Sequence, residues 1–107
     1  MPAPASTASL DTNILDALQA VIDPEVGLSI VDLGLVYRAM RTDDAIDVAI
    51  TLTTRACPLG RMIVREAEDR LRQRFPDAGS VDVKLVWEPP WKPDRITEQG
   101  RAQLGRH

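Results

Sequence analysis

A chain of 107 residues with 44% hydrophobic and 27% charged residues has the length and composition of one soluble globular domain. Its formal net charge of −3 argues against sequence-independent nucleic-acid binding, which relies on an excess of lysine and arginine. No apolar run approaches the ~18 residues of a membrane span, so no transmembrane segment is expected.

The first nine residues are rich in alanine, proline and serine, which predicts a disordered tail over 1–9 and a single domain over 10–107. This tail lacks the basic start and apolar core of a secretory signal and the arginines of a mitochondrial presequence. The chain contains one cysteine, so it cannot form a disulfide within itself. A lone cysteine without a signal sequence indicates the reducing cytoplasm.

The first predicted helix runs from Leu10 to Ile22, because its apolar residues recur three and four positions apart. Ser9 or Asp11 is the expected N-cap, and the helix should stop before Pro24. The spacing predicts that one side of this helix is buried against a sheet.

The stretch Asp23-Pro-Glu-Val-Gly27 has the composition of a turn. Its two acidic residues, Asp23 and Glu25, are explained most simply as solvated residues at the exit of a helix. The alternative is that their carboxylates serve as hard oxygen ligands for iron, which requires that they lie near the cysteine.

Two strands should follow and pair as a hairpin. The first is predicted over Ile30–Met40, where Asp32 and Gly34 interrupt one face; a glycine inside a strand often marks a bulge or a close approach by another backbone. A turn at 42–44 leads to the second strand, in which apolar and polar residues alternate from Ala45 to Leu52.

Beyond Pro58 the apolar period changes to that of a helix, which should end near the Pro and Gly residues of 75–79. Alternation over Val81–Trp87 predicts a third strand. The proline-rich segment 88–93 should be a loop, and 96–104 a short, mostly polar helix.

The order helix, strand, strand, helix, strand, with a short C-terminal helix, predicts an α+β two-layer domain. Its helices should lie on one face of a small mixed sheet. The third strand joins through a helical crossover, which should be right-handed, and this strand should run parallel to the strand before it if the two are neighbours.

The cysteine occupies the junction between the second strand and the second helix. Proline suits the first helical position, so Pro58 would make Cys57 the N-cap. The unpaired helix amides and the helix dipole, with Arg55 and Arg61 nearby, would then favour a thiolate. The plainer alternative is a buried structural cysteine, because free cysteine is among the most buried residue types.

Several chemistries lack the residues that they require. A Cys–His hydrolase needs a histidine beside the thiol, and His107 is the only histidine. No glycine-rich phosphate loop is present, so no ATPase is indicated. A self-contained zinc or iron–sulfur site needs about four ligands, whereas this chain supplies only the thiolate of Cys57. Any metal or cluster must therefore be shared with a second chain, with a partner's cysteines or with glutathione.

Four stretches in order resemble the SufT/PaaD-like metal–sulfur cluster assembly family, over about residues 10 to 105. They are Asp23-Pro-Glu-Val-Gly27, Ile30-Val-Asp-Leu-Gly-Leu-Val-Tyr37, Thr51-Leu-Thr-Thr-Arg-Ala-Cys-Pro58 and Trp87-Glu-Pro-Pro-Trp91. The resemblance implies an α+β fold, a cysteine at a helix start and a role in assembling or delivering iron–sulfur clusters. It singles out a set of residues as candidates for the site: Asp23, Glu25, Asp32, Thr53, Thr54, Cys57 and Trp91.

The leading hypothesis is a non-enzymatic maturation factor. Its cysteine would transiently bind iron, an iron–sulfur cluster or a partner, with Pro58 and Arg61 supporting the site. The expected partners are client apoproteins, other iron–sulfur assembly proteins and a second copy in a homodimer. One alternative is a thiol-dependent redox or sulfur-transfer catalyst, in which Cys57 is oxidised or persulfidated and then resolved. The other is an interaction module with a buried cysteine.

Overall fold

The computed structural model describes residues 10–42, 44–53 and 59–105. The predicted tail at 1–9 therefore lies outside the described residues. The elements in chain order are α1 (Thr12–Leu18), β1 (Ile22–Asp23), β2 (Leu28–Ser29), β3 (Val36–Thr42), β4 (Ala45–Ile50), α2 (Gly60–Arg74), β5 (Ser80–Leu85), a 3₁₀ turn (Pro93–Arg95) and α3 (Glu98–Leu104).

The main sheet has three strands in the order β3-β4-β5. Strands β3 and β4 form the expected antiparallel hairpin, with Thr42 paired to Ala45 at its closed end. Strand β5 runs parallel to β4, from the Ala45–Ser80 pair to the Ile50–Leu85 pair, and α2 connects the two. The predicted mixed sheet and α+β class are confirmed. Strands β1 and β2 add a separate small antiparallel hairpin.

The hydrophobic core lies between the two helices α1 and α2 and one face of the sheet. Fully buried side chains come from α1, α2 and β4 alike: Ile14, Leu18, Ile46, Val48, Ile50, Ile63 and Leu71. The other face of the sheet carries the ion pairs Arg38–Asp47, at 2.8 Å, and Lys84–Asp82, at 3.3 Å. This division into an apolar face and a charged face gives the predicted two layers.

Helix α1 is shorter than predicted. Asp11 is its N-cap, as expected, and its carboxylate accepts hydrogen bonds from the amides of Asn13 and Ile14 at 2.8 and 3.1 Å. The helix ends at Leu18 instead of continuing to Ile22, because Ile22 is extended and pairs with Ser29 of β2.

The strand predicted over 30–40 begins only at Val36. The amides of Leu33 and Gly34 donate to carbonyls four and three residues earlier, respectively, so this part of the chain turns instead of extending. Gly34 has a φ of 75°, and a Cβ there would lie 2.6 Å from the Cβ of Arg95. The predicted close approach is therefore present, while the irregularity in strand pairing occurs later, between Val36 and Arg38.

Helix α2 begins at Gly60, with Leu59 at the N-cap position. The prediction that Cys57 is the N-cap and Pro58 the first helical residue is therefore not met by the observed helix start, and both residues lie outside the described part of the chain. The third strand ends at Leu85 and not at Trp87, and α3 starts at Glu98 with Thr97 as its N-cap.

No helix within the described ranges is long and apolar enough to cross a membrane.

Candidate functional site

The cysteine loop, defined as residues 54–58, contains Thr54, Cys57 and Pro58 and lies outside the described residues. The chain that enters it is fixed to the core. Thr51 is 1% exposed and its amide donates a hydrogen bond to the carbonyl of Leu35 at 2.8 Å. Leu52 is buried and Thr53 is half-buried. The segment 54–58 therefore follows a buried and hydrogen-bonded end of the strand.

The chain that leaves the loop is fixed at the same end of the sheet. Gly60 is buried, and a Cβ at this position would lie 2.8 Å from Cδ1 of Leu52 and 3.8 Å from Cδ1 of Leu85. The first turn of α2 thus packs directly on residues at the C-terminal ends of β4 and β5. Both ends of the cysteine loop are held close to Leu52.

The start of α2 gives this end of the sheet a positive electrostatic character. A 15-residue helix carries partial positive charge at its N-terminus, and Leu59 provides no side-chain cap for it. Its first turn contains no acidic residue, while Arg61 and Arg65 are exposed. An anionic group bound beside this helix end, such as a thiolate or a cluster ligated by thiolates, would be stabilised.

Asp23 and Glu25 belong to the β1–β2 hairpin. Asp23 is 1% exposed, so its interpretation as a solvated residue is wrong, whereas Glu25 is exposed as expected. A carboxylate oxygen of Asp23 accepts the amide of Glu25 at 2.9 Å, and its carbonyl accepts the amide of Gly27 at 2.7 Å. Asp23 therefore shapes the turn and Glu25 projects from it.

Asp32 joins three parts of the chain. It is 6% exposed, and its carboxylate accepts hydrogen bonds from Nε2 of Gln19 at 2.8 Å and from Oγ1 of Thr97 at 3.1 Å. Its carbonyl also accepts the amide of Thr97 at 2.8 Å. Asp32 thus links the end of α1 to the N-cap of α3, and a buried carboxylate with two donors is a scaffold residue.

Trp91 and the segment around it cover the 30–37 region. The indole Nε1 of Trp91 donates to the carbonyl of Leu33 at 2.7 Å, and the hydroxyl of Tyr37 donates to the carbonyl of Pro89 at 2.8 Å. The guanidinium of Arg95 lies 4.7 Å from the centroid of the Tyr37 ring. Residues 88–104, called the C-terminal clasp below, are fastened by these contacts.

The structure therefore separates the candidate residues into three places. Asp32 and Trp91 meet at the clasp, Asp23 and Glu25 form the hairpin, and Thr53 and Arg61 flank the cysteine loop. Sequence reasoning missed Thr97 and Gly100, although Thr97 carries the usual signal of a threonine before a helical segment. Among the described residues, no group of three or more His, Cys, Asp or Glu side chains is placed to hold a metal ion.

Comparison with known proteins gives one consistent result. A family model described as "Iron-sulfur cluster assembly protein" matches residues 11–85. The chain is 39% identical over 98 residues to the Fe-S protein maturation auxiliary factor YitW of Bacillus subtilis, covering 91% of this chain and 95% of that protein. It is 38% identical over 86 residues to the Fe-S protein maturation auxiliary factor SufT of Staphylococcus aureus, covering 79% and 97%.

A solved structure has the same fold. The crystal structure of a domain of unknown function, DUF59, from Bacillus anthracis superposes with a TM-score of 0.85 at 33% sequence identity, covering 90% of this chain and 92% of that chain. The arrangement of helices and mixed sheet described above is therefore the fold of a solved relative.

Proposed function

Because the chain belongs to the iron–sulfur cluster assembly protein family, we propose that it is a non-enzymatic maturation factor that acts through Cys57. The cysteine transiently binds iron or an iron–sulfur cluster and assists its delivery to client apoproteins. The observation that carries this proposal is the anchoring of the cysteine loop, between Thr53 and Leu59, at the positive end of α2. The names of the relatives, which are maturation auxiliary factors, support the same function.

The single cysteine determines how a cluster would be held. Cluster irons are bound by about four thiolates in a complete site, and this chain has one. The other ligands must come from a second molecule, which is a client, another assembly protein, glutathione or a second copy of this chain. A cluster held by one thiolate on one side is easily released, and release is what delivery requires. Cluster and iron are thus cargo and not resident cofactors.

The remaining candidate residues fall into two groups: those that would contact the cargo or a partner, and those that stabilise the fold around the site. Glu25 is exposed on its hairpin and would contact cargo or partner, together with Thr53 and Thr54, which precede the cysteine in the sequence. Arg61 and the end of α2 would attract anionic cargo. Asp32 and Trp91 hold the clasp and so support the scaffold. Because the thiol must stay reduced, we place this activity in the cytoplasm.

The thiol redox or sulfur-transfer hypothesis uses the same cysteine, and one experiment separates it from cluster delivery. Wild-type protein is loaded anaerobically with iron, sulfide and glutathione, desalted, and then mixed with an apo-ferredoxin, whose absorption and electron paramagnetic resonance report cluster arrival. We expect transfer from wild type and none from Cys57→Ser. A redox or sulfur-transfer catalyst would carry no iron after desalting, and it would instead accumulate an oxidised or persulfidated thiol, detectable by mass spectrometry.

A matched control keeps the thiol but moves it. In the double variant Cys57→Ser with Gln99→Cys, the chain still has one cysteine, now on the exposed side of α3, far along the chain from the cysteine loop. We expect no cluster transfer from this variant. Transfer equal to wild type would show that any exposed thiol suffices and would contradict a built site at the loop.

A further inference from the structure

The outer edge of β5 is an unpaired strand edge in the described part of the chain. Strand β5 is terminal in the order β3-β4-β5 and contacts β4 on one side only. The amide of Val86 donates to the carbonyl of Ile50 at 2.8 Å, which fixes which residues face β4. Along a strand, the N–H and C=O groups of successive residues point alternately to one side and the other. Those of Val81, Val83 and Leu85 therefore point away from β4, toward the free edge.

The sequence of β5 is self-complementary when read antiparallel. If a second β5 is centred on Val83, Val83 lies opposite Val83 of the second copy, and Val81 lies opposite its Leu85. Asp82 then lies opposite Lys84 of the second copy, and Lys84 opposite its Asp82. The pairs that exchange backbone hydrogen bonds are those with outward-facing amides, and the charged pairs fall at the other positions, where side chains approach most closely.

The side chains would also lie on the correct faces. Val83 is buried on the helix face, whereas Asp82 and Lys84 are exposed on the other face and form an ion pair within the chain at 3.3 Å. A second strand would continue the apolar layer on one face and produce an alternating set of charges on the other. Opposite charges would face each other directly at both charged positions, and like charges would be neighbours only along the diagonals.

The side of α2 that lies beside this strand edge would also be complementary to the same side of a second copy. A groove of about 310 Å³ runs between the helix and the strand and is lined by Arg61, Val64, Arg65, Glu68, Val83 and Leu85. Two such flanks meeting about a two-fold axis would cover the apolar residues. The antiparallel helices would bring Glu68 of each copy toward the arginines of the other.

We propose that this protein forms a symmetric homodimer through antiparallel pairing of its two β5 edges, with the α2 flanks packed beside them. The two three-stranded sheets become one six-stranded sheet. The interface is isologous, because each copy contributes the same strand edge and the same groove. When two such edges pair, main-chain hydrogen bonds form between them, apolar side chains are buried and oppositely charged side chains form ion pairs.

This dimer goes beyond the proposed function and constrains it. Strand β5 is parallel to β4, so Leu85 marks the end of the sheet at which the cysteine loop starts. Antiparallel pairing of β5 directs these ends away from each other. The described residues on either side of 54–58, Thr53 and Leu59, then lie toward opposite ends of the joined sheet in the two copies.

Charge reversal gives a specific test. In Asp82→Lys, lysine faces Lys84 of the second copy at both symmetric contacts; in Lys84→Asp, aspartate faces Asp82. Each single variant should weaken the dimer by about tenfold or more, because two attractive contacts become two repulsive ones. An equimolar mixture of the two variants should restore it, because every facing pair in the mixed dimer is again one lysine and one aspartate. The control is Asp94→Lys, an equal charge change at an exposed residue of the clasp.

The measurement is sedimentation velocity of apo protein up to about 100 μM, where a micromolar dimer would be populated. We expect the dimer dissociation constants of wild type, the control and the mixture to agree, and those of the two single variants to be higher by about tenfold or more. Circular dichroism of each variant, and the recovery on mixing, show that the variants are folded. A monomeric wild type at the highest concentration, or a dimer that neither charge reversal weakens, would overturn the proposal. Because no iron is present, either result leaves the test of cluster delivery independent.

Discussion

Asp32 and Thr97, 65 positions apart in the sequence, are joined by two hydrogen bonds, from the Thr97 amide to the Asp32 carbonyl at 2.8 Å and from Oγ1 of Thr97 to the Asp32 carboxylate at 3.1 Å. The same carboxylate accepts a hydrogen bond from Gln19. Asp32 thus fastens the C-terminal clasp to the part of the chain that leads into β3. Its place in the family motif is explained by this structural role.

Replacement of Asp32 by alanine should lower the free energy of unfolding by about 1–3 kcal/mol, because Gln19 and Thr97 lose a buried acceptor. Asp32→Asn should cost less, since its amide oxygen still accepts one of the two bonds. Urea denaturation measures both, and Asp94→Ala at an exposed clasp position is the control. If Asp32→Ala were as stable as this control, the clasp would not depend on Asp32.

Trp91 and Tyr37 allow the clasp to be tested at two other hydrogen bonds. Trp91→Phe removes the donor to the carbonyl of Leu33, which is a buried residue, so we expect a loss of about 1–2 kcal/mol. Tyr37→Phe removes a bond in an exposed setting, to Pro89, where water replaces the donor, and it should cost less. Hydrogen exchange in 88–104 should rise in the first variant more than in the second. The reverse order would contradict our account of the clasp.

Two glycines provide a comparison of tight packing. A Cβ at Gly100 would lie 3.0 Å from the carbonyl oxygen of Asp32, which is fixed backbone, and 2.9 Å from Cγ2 of Ile96. A Cβ at Gly60 would meet the tip of the Leu52 side chain, which can rotate. Gly100→Ala should therefore destabilise the protein by about 1–3 kcal/mol, and Gly60→Ala by less, because the Leu52 side chain can move and the Asp32 carbonyl cannot; both glycines lie in helices, so the helix propensity of alanine favours both variants. Thermal unfolding of both variants measures the difference, and an equal loss would show that Leu52 cannot move.

The parts of the fold that the sequence predicts correctly are those with a strong period. The alternation in β4 and the spacing of four in α2 identify both elements, because each buries one face along its whole length. The predicted strand over 30–40 was half wrong, since apolar residues such as Leu33 are buried in a turn and not in a strand. Burial in a turn depends on distant contacts, here the clasp, and leaves no period in the sequence.

The sequence predicts less of the candidate site than of the fold. The family motifs predict Asp32 and Trp91, but only the structure shows that Asp32 lies in the turn at residues 30–34 and that Trp91 binds the carbonyl of the next residue, Leu33. The sequence likewise gives no reason to bury Asp23, which the structure places inside a hairpin. Such contacts between distant segments are set by tertiary packing, which local patterns do not encode.

The β1–β2 hairpin separates a structural carboxylate from an exposed one. Asp23→Asn keeps an oxygen acceptor for the amide of Glu25, so stability should change little, whereas Asp23→Ala should lose about 1 kcal/mol. Glu25→Gln should leave stability unchanged, because Glu25 is exposed. If the hairpin contacts cargo through the exposed Glu25, iron retention after loading with glutathione and desalting should fall in Glu25→Gln and stay at the wild-type level in Asp23→Asn. Retention equal to wild type in both variants would remove the hairpin from the site.

In the proposed function, Cys57 provides one ligand to a cluster that other molecules complete. The most direct measurement is iron and sulfide per chain after anaerobic reconstitution and desalting, with and without glutathione as an external thiol. We predict that wild type retains a cluster only when glutathione is present, and that Cys57→Ser retains none in either condition. A full cluster on wild type without any added thiol, or a cluster on Cys57→Ser, would contradict the account.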